Sequence, residues 1–196
     1  MTLGTDYFDA MYGRSPDPWG FTTRWYERRK YEVGLAALPR PRYAEGFEAG
    51  CSIGVLTERL AERCDRLLAC DTSASAVEQA RRRAPRARVE LRTLPRDWPD
   101  GRFDLIVLSE VLYYFDDHDL AEVVERVLGS LQPGGTLLAV HWRHPVAEYP
   151  QTGDDVHDAL ARTPLNRLVG HVEADFRCDV FVRGEAVSVA AAEGLV

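Results

Sequence analysis

Lysine is nearly absent from this sequence. Lys30 stands alone among 24 basic residues, and every other one is arginine. Taken by itself this is a bias of composition, of the kind that codon usage or solubility imposes. Basic charge is also scarce relative to acid, with 31 Asp and Glu and a net charge of -7. A protein that neutralises phosphates carries a basic excess, so nucleic acid is excluded as the main partner. The four cysteines (Cys51, Cys64, Cys70, Cys178) include no CxxC pair, and no histidine stands at zinc-ligand spacing from them. No metal site is expected, and the thiols read as reduced and partly buried, as in a cytoplasmic protein. No apolar stretch approaches the length of a membrane span. The segment Met1–Asp6 lacks the basic and apolar regions of a secretory signal. What remains is ordinary globular composition, 45% hydrophobic and 28% charged over 196 residues, enough for one domain with its own core.

The first 42 residues are rich in aromatics and contain Asp17-Pro18-Trp19, a turn. Residues 23–38 have helical spacing (Tyr26, Arg29, Lys30, Val33, Ala37), and Pro39 and Pro41 stop the helix. This segment reads as a cap over the rest or as the first layer of the core. From Tyr43 onward strands and helices alternate: strands at 43–48, 66–70, 88–92, 103–108 and 136–140, and helices at 54–64, 73–83 and 119–131. The run Phe103–Leu108 is almost continuously apolar, which suits a strand buried on both faces of a parallel sheet. In the helix at 119–131, Leu120, Val123, Val124, Val127, Leu128 and Leu131 share one face. Asp119 and Glu122 resemble a capping box at its start. Residues 153–162 read as one more helix and 165–183 as two final strands. The expected organisation is one domain over 1–196: an N-terminal lid (1–42), a doubly wound α/β core (43–183) and a tail (184–196).

The first strand runs into Glu48-Ala49-Gly50-Cys51-Ser52-Ile53-Gly54, and a helix follows. Gly50 permits a tight turn off the strand, and Gly54 permits close approach at the helix start. Asp71 closes the second strand, 17 positions beyond Gly54. A carboxylate there can accept hydrogen bonds from ribose hydroxyls, or it can cap the helix that follows. The loop contains an acid, Glu48, and no Arg or Lys. That suits a cationic or amino-bearing ligand better than a pyrophosphate.

These residues resemble a class I S-adenosylmethionine-dependent methyltransferase. The Glu48-x-Gly50-x-Ser52-x-Gly54 loop, Asp71, the strand Phe103–Val107 and Pro133-Gly134-Gly135 fall in that family's order. More narrowly, Asp17-Pro18-Trp19, Gly50-Cys51, Thr57-Glu58, Leu60-Ala61, Cys64 and Ser109–Tyr114 resemble the nodulation protein S (NodS-like) group. The resemblance implies a mostly parallel seven-stranded Rossmann-like sheet with helices on both faces. It also implies S-adenosyl-L-methionine as cofactor and methyl transfer to an amine of an amino sugar. Thr93 stands where relatives often carry Asp or Asn, so adenine recognition would fall to Thr93 and the Leu94 backbone.

In a doubly wound sheet the ligand binds at the carboxyl ends of the strands. That places Glu48, Gly50, Cys51, Ser52, Gly54, Asp71, Thr72, Thr93, Leu94, Ser109 and Glu110 around the cofactor. Trp19, Trp25 and Tyr26 of the lid are expected to shield the sulfonium. Arg29 is expected to pair with the methionine carboxylate, with Lys30 as its competitor. Glu110 is the first candidate to orient the acceptor or take its proton, and His144 and His141 follow. For each histidine the plain alternative is a surface or structurally satisfied imidazole. O-methyl transfer and a Rossmann-type NAD-binding oxidoreductase or nucleotide-binding module are the competing readings. The expected partner is a small-molecule acceptor, to a monomer or homodimer.

Overall fold

The computed structural model describes Met1–Val196. Two helices, α1 (Thr5–Arg14) and α2 (Trp25–Ala37), precede the sheet. The core then alternates β1 (Tyr43–Ala49), α3 (Val55–Ala61), β2 (Cys64–Asp71), α4 (Ala74–Arg83), β3 (Arg88–Leu91) and β4 (Phe103–Ser109). It continues with a short 3-10 turn (Leu112–Tyr114), α5 (Asp117–Ser130), β5 (Leu131–Trp142), α6 (Gly153–Ala161), β6 (Asn166–Val172) and β7 (Phe176–Val182). One turn of helix, α7 (Val189–Ala192), lies in the tail.

The seven strands form one sheet in the order β3-β2-β1-β4-β5-β7-β6. β1 to β5 are mutually parallel, and β7 pairs antiparallel with both β5 and β6. The order reverses between β1 and β4, so a crevice opens at their carboxyl ends.

Alternation along the central strands divides the core in two. Ile106, Leu108, Leu137 and Ala139 face α5 and α6. Leu105, Val107, Leu138 and Val140 face α2 and α3. Both faces are therefore covered, which is why Phe103–Leu108 is apolar at every position but Asp104.

Two local expectations are corrected, and α1 is an element that the sequence pattern did not announce. The cap of α5 is Asp116, whose carboxylate accepts the Asp119 N–H at 3.1 Å, so the Asp119–Glu122 box does not form. Leu131 opens β5 rather than closing α5, because the chain passes straight from helix to strand and makes its turn at Gly134, φ +73°.

Candidate active site at the strand ends

The loop between β1 and α3 takes three left-handed residues in five positions: Gly50 (φ +71°), Ser52 (+48°) and Gly54 (+81°). A Cβ on Gly54 would stand 2.8 Å from the Ala80 Cα, so α3 and α4 approach only because nothing is there. Ser52 carries a side chain in a region that costs an L-residue about 1–2 kcal/mol. It is held there from two sides. Its N–H donates to Asp71 Oδ2 at 2.8 Å, and its hydroxyl lies 2.5 Å from the Tyr12 hydroxyl of α1.

Asp71 also accepts the Ser73 N–H at 3.0 Å, so one carboxylate ties the glycine loop to the start of α4. Burial raises its pKa and these N–H donors oppose the rise. Two oxygens offer about four acceptor positions, of which two are taken. Thr72 bridges Thr5 of α1 at 2.5 Å and Thr93 at 3.0 Å.

These residues line one cavity of about 710 Å³. Glu48, Gly50, Cys51, Ser52, Asp71 and Thr72 form its floor, and Thr93, Leu94, Ser109 and Glu110 continue it. Gly54 is not in the lining; it shapes the loop from behind. Glu48 is 2% exposed, and one of its oxygens has no hydrogen-bond partner. Burial, reinforced by the charge of Asp71, pushes its pKa up to about 8.

At the far end the single lysine reappears. Lys30 is 2% exposed, with its ammonium 2.6 Å from Glu110 Oε1, 2.9 Å from Glu27 Oε2 and 5.0 Å from the centre of the Tyr26 ring. Burial alone would lower its pKa, but Glu110 and Glu27 outweigh burial and hold it above the ordinary value. Glu110 accepts two further bonds at Oε2, from the Tyr113 hydroxyl and from the Trp142 N–H.

Residues of α1, of the segment between the two helices and of the start of α2 line the cavity from the N-terminal side. Trp19 packs edge-on against Tyr12, and Tyr26 edge-on against Trp142; both line the cavity. The Tyr26 hydroxyl is buried without a partner. Trp25 points away and is 64% exposed, because the helical turn at the start of α2 places neighbours on opposite sides.

Three residues picked from sequence stand elsewhere. Arg29 forms a two-pronged ion pair with Glu173, both contacts 2.7 Å, and does not line the cavity. His144 pairs with Asp175 at 2.8 Å on the surface. His141 is fully buried and faces α6, where it accepts the Leu112 N–H and meets His157. The sequence reading missed Arg24, Tyr12 and Tyr149, which line the cavity. Arg24 has no carboxylate partner within ion-pair distance.

A glycine loop after β1, an acid ending β2 and an antiparallel β7 inserted between β5 and β6 together define the class I methyltransferase fold. The sequence profile described as Nodulation protein S (NodS) matches residues 13–150, and the chain belongs to that family. Nodulation protein S of Rhizobium tropici is 34% identical over 127 residues, 62% of this chain and 53% of its own length. A trans-aconitate 2-methyltransferase of Variovorax paradoxus is 35% identical over 67% of this chain and 48% of its own. The chain thus spans about half the length of the curated relatives it matches. Among solved structures, N-methyltransferase NodS of Bradyrhizobium japonicum, in complex with S-adenosyl-L-homocysteine, superposes with a TM-score of 0.82 at 25% identity. That match covers 93% of this chain and all of the other. A putative methyltransferase from Pseudomonas syringae is 50% identical, with a TM-score of 0.73 over 82% of this chain and all of its own.

Proposed function

We propose that this protein transfers a methyl group from S-adenosyl-L-methionine to the amine of an amino sugar. The observation that carries the cofactor is the pairing of Glu48 and Asp71 on one cavity floor. Glu48 has a buried oxygen without a partner, and Asp71 has acceptor positions left after fixing the glycine loop. A carboxylate in such surroundings favours a cation or a hydroxyl donor. The cofactor offers both, as an α-ammonium and a ribose. Thr93 and the Leu94 backbone would border the adenine. Arg24, the cavity-lining guanidinium that has no carboxylate partner, replaces Arg29 as the group for the methionine carboxylate.

When bound, the cofactor supplies a methyl carried on a sulfonium. The chain's own residues do the rest by positioning and by excluding water. Tyr26, Trp19, Tyr113 and Tyr149 give aromatic walls, which shed water and suit the apolar faces of a sugar ring. Glu110 and Glu27, clamped on Lys30, set a fixed acidic edge for an amine. The NodS relative supports an amine acceptor. The trans-aconitate relative carries the competing oxygen-acceptor reading, and the fold gives no support to an NAD-dependent oxidoreductase.

Calorimetry with S-adenosyl-L-homocysteine tests the cofactor, and micromolar-class binding is expected. No binding, together with thermal stabilisation by NAD, would overturn it. An acceptor screen of amino sugars, carboxylates and phenols, read by product mass, tests the acceptor. Methylation confined to the oxygen acceptors would reject the amine.

A further inference from the structure

His141 lies outside the cavity, and it ends a buried polar chain that stops at Leu112, between the cavity-lining Val111 and Tyr113. The Leu112 N–H donates to His141 Nε2 at 3.2 Å. His141 Nδ1 lies 3.1 Å from His157 Nε2, and His157 Nδ1 lies 2.7 Å from Asp179 Oδ2. His141, His157 and Asp179 are each 0% exposed. They come from β5, α6 and β7.

The proton positions along this chain follow from its backbone end. A backbone N–H can only donate, so His141 Nε2 must be bare. A neutral imidazole with a bare Nε2 carries its proton on Nδ1. That proton points at His157 Nε2, which must therefore also be bare. His157 then holds its own proton on Nδ1 and gives it to Asp179. Every link has one donor and one acceptor, and one arrangement satisfies all of them. Adding a proton to either ring puts two donors face to face. Asp179 is anchored in turn by Arg177, 2.8 Å from Oδ2, with Arg167 at 3.7 Å from Oδ1.

Leu112 opens the 3-10 turn, and its N–H is one of the orphan donors every helical start leaves behind. Val111 alone separates the turn from Glu110, which sits at φ +56°, and the turn carries Tyr113, whose hydroxyl bonds Glu110. Holding Leu112 therefore fixes both cavity-facing side chains. We propose that Asp179, His157 and His141 are positioning residues that lock the Glu110–Tyr113 edge of the acceptor site through the Leu112 amide. That this edge serves an acceptor rests on the methyl-transfer reading; the lock itself does not.

The experiment uses the full chain with ¹⁵N-histidine, ¹⁵N-leucine and ¹³Cζ-tyrosine labels. Two of the five histidines should show the Nδ1–H tautomer, the rarer form in water, and His141 should stay neutral well below the ordinary 6.5. His141→Asn places its polar atoms too close to the backbone to reach Leu112. Exchange of the Leu112 amide should then rise at least tenfold, and the Tyr113 signal, assigned with Tyr113→Phe, should shift. His141→Gln sets a carbonyl oxygen near the lost Nε2 and should restore both. An Nε2–H tautomer at either ring in the wild type would overturn the lock. So would an unchanged Leu112 amide or an unmoved Tyr113 signal in H141N. If H141N does not fold, the wild-type tautomers still decide. Failure of S-adenosyl-L-homocysteine to bind would reject the methyl-transfer reading and leave these readouts intact.

Discussion

Lys30 and Glu110 stand 80 residues apart in sequence and 2.6 Å apart in the fold, where they join α2 to the carboxyl end of β4. The one lysine of the chain is thus the cation that neutralises a buried acid at the cavity, with Glu27 as its second partner. Removing one member of such a cluster strands the others. Lys30→Met should cost about 3–5 kcal/mol, the range for breaking a buried ion pair. Urea unfolding measures it, and a loss under about 1 kcal/mol would mean that the carboxylates find water instead.

Gly54→Ala brings two costs together. The residue is left-handed, worth about 1–2 kcal/mol for an L side chain, and its new methyl would lie 2.8 Å from the Ala80 backbone. The variant should be destabilised by at least about 2 kcal/mol, with S-adenosyl-L-homocysteine affinity lowered as α3 and α4 part. Thermal unfolding and calorimetry check both effects.

Asp71→Ala removes the acceptor of both the Ser52 and Ser73 amides. Binding of S-adenosyl-L-homocysteine should weaken at least tenfold, about 1.4 kcal/mol or more. Asp71→Asn, which keeps one acceptor oxygen, should lose less. Equal affinities in calorimetry would remove Asp71 from the site.

Glu48 titrates at about 8 because it is buried. Near pH 7 its carboxyl is largely protonated in the free protein. A cation settling beside it pulls the pKa down, so binding releases a proton. Affinity for S-adenosyl-L-homocysteine should therefore rise with pH up to about 8, and the heat of binding should depend on the buffer's ionisation enthalpy. Glu48→Gln should flatten both dependences.

His141 is held neutral, first by burial and then by the neighbouring His157 and Lys30, so its pKa lies well below the ordinary 6.5. The unfolded chain binds a proton below pH 6.5 that the folded chain refuses. Stability should be full above that pH and fall as the pH drops, with a slope of up to one proton from this residue. In urea titrations between pH 7 and 5, His141→Gln should show a shallower fall than the wild type.

Much of the fold is legible because its residues admit few alternatives. Phe103–Leu108 can only be a strand covered on both sides, and Gly50 and Gly54 sit where the backbone turns left-handed. α1 is only 10 residues long, and its helical signal is little more than the i, i+4 pair Phe8 and Tyr12, both of which line the cavity. The strand ends were legible as a site, but not which way each side chain turns. His141 and Trp142 are neighbours at the end of β5. The pleat sends Trp142 into the cavity and His141 to the α6 face, and only the finished sheet decides which is which. Arg29 and Arg24 lie five positions apart on one helical start. Which of them is free depended on Glu173, a residue 144 positions away.

Glu110 already receives the Lys30 ammonium, the Tyr113 hydroxyl and the Trp142 amide. Three fixed donors thus occupy acceptor positions on both of its oxygens. On the proposed reading, an amine reaching this edge meets a carboxylate already engaged on both oxygens, and its proton leaves to solvent. The pH dependence of the proposed transfer step would then follow the acid strength of the acceptor, while Glu48 sets that of cofactor binding.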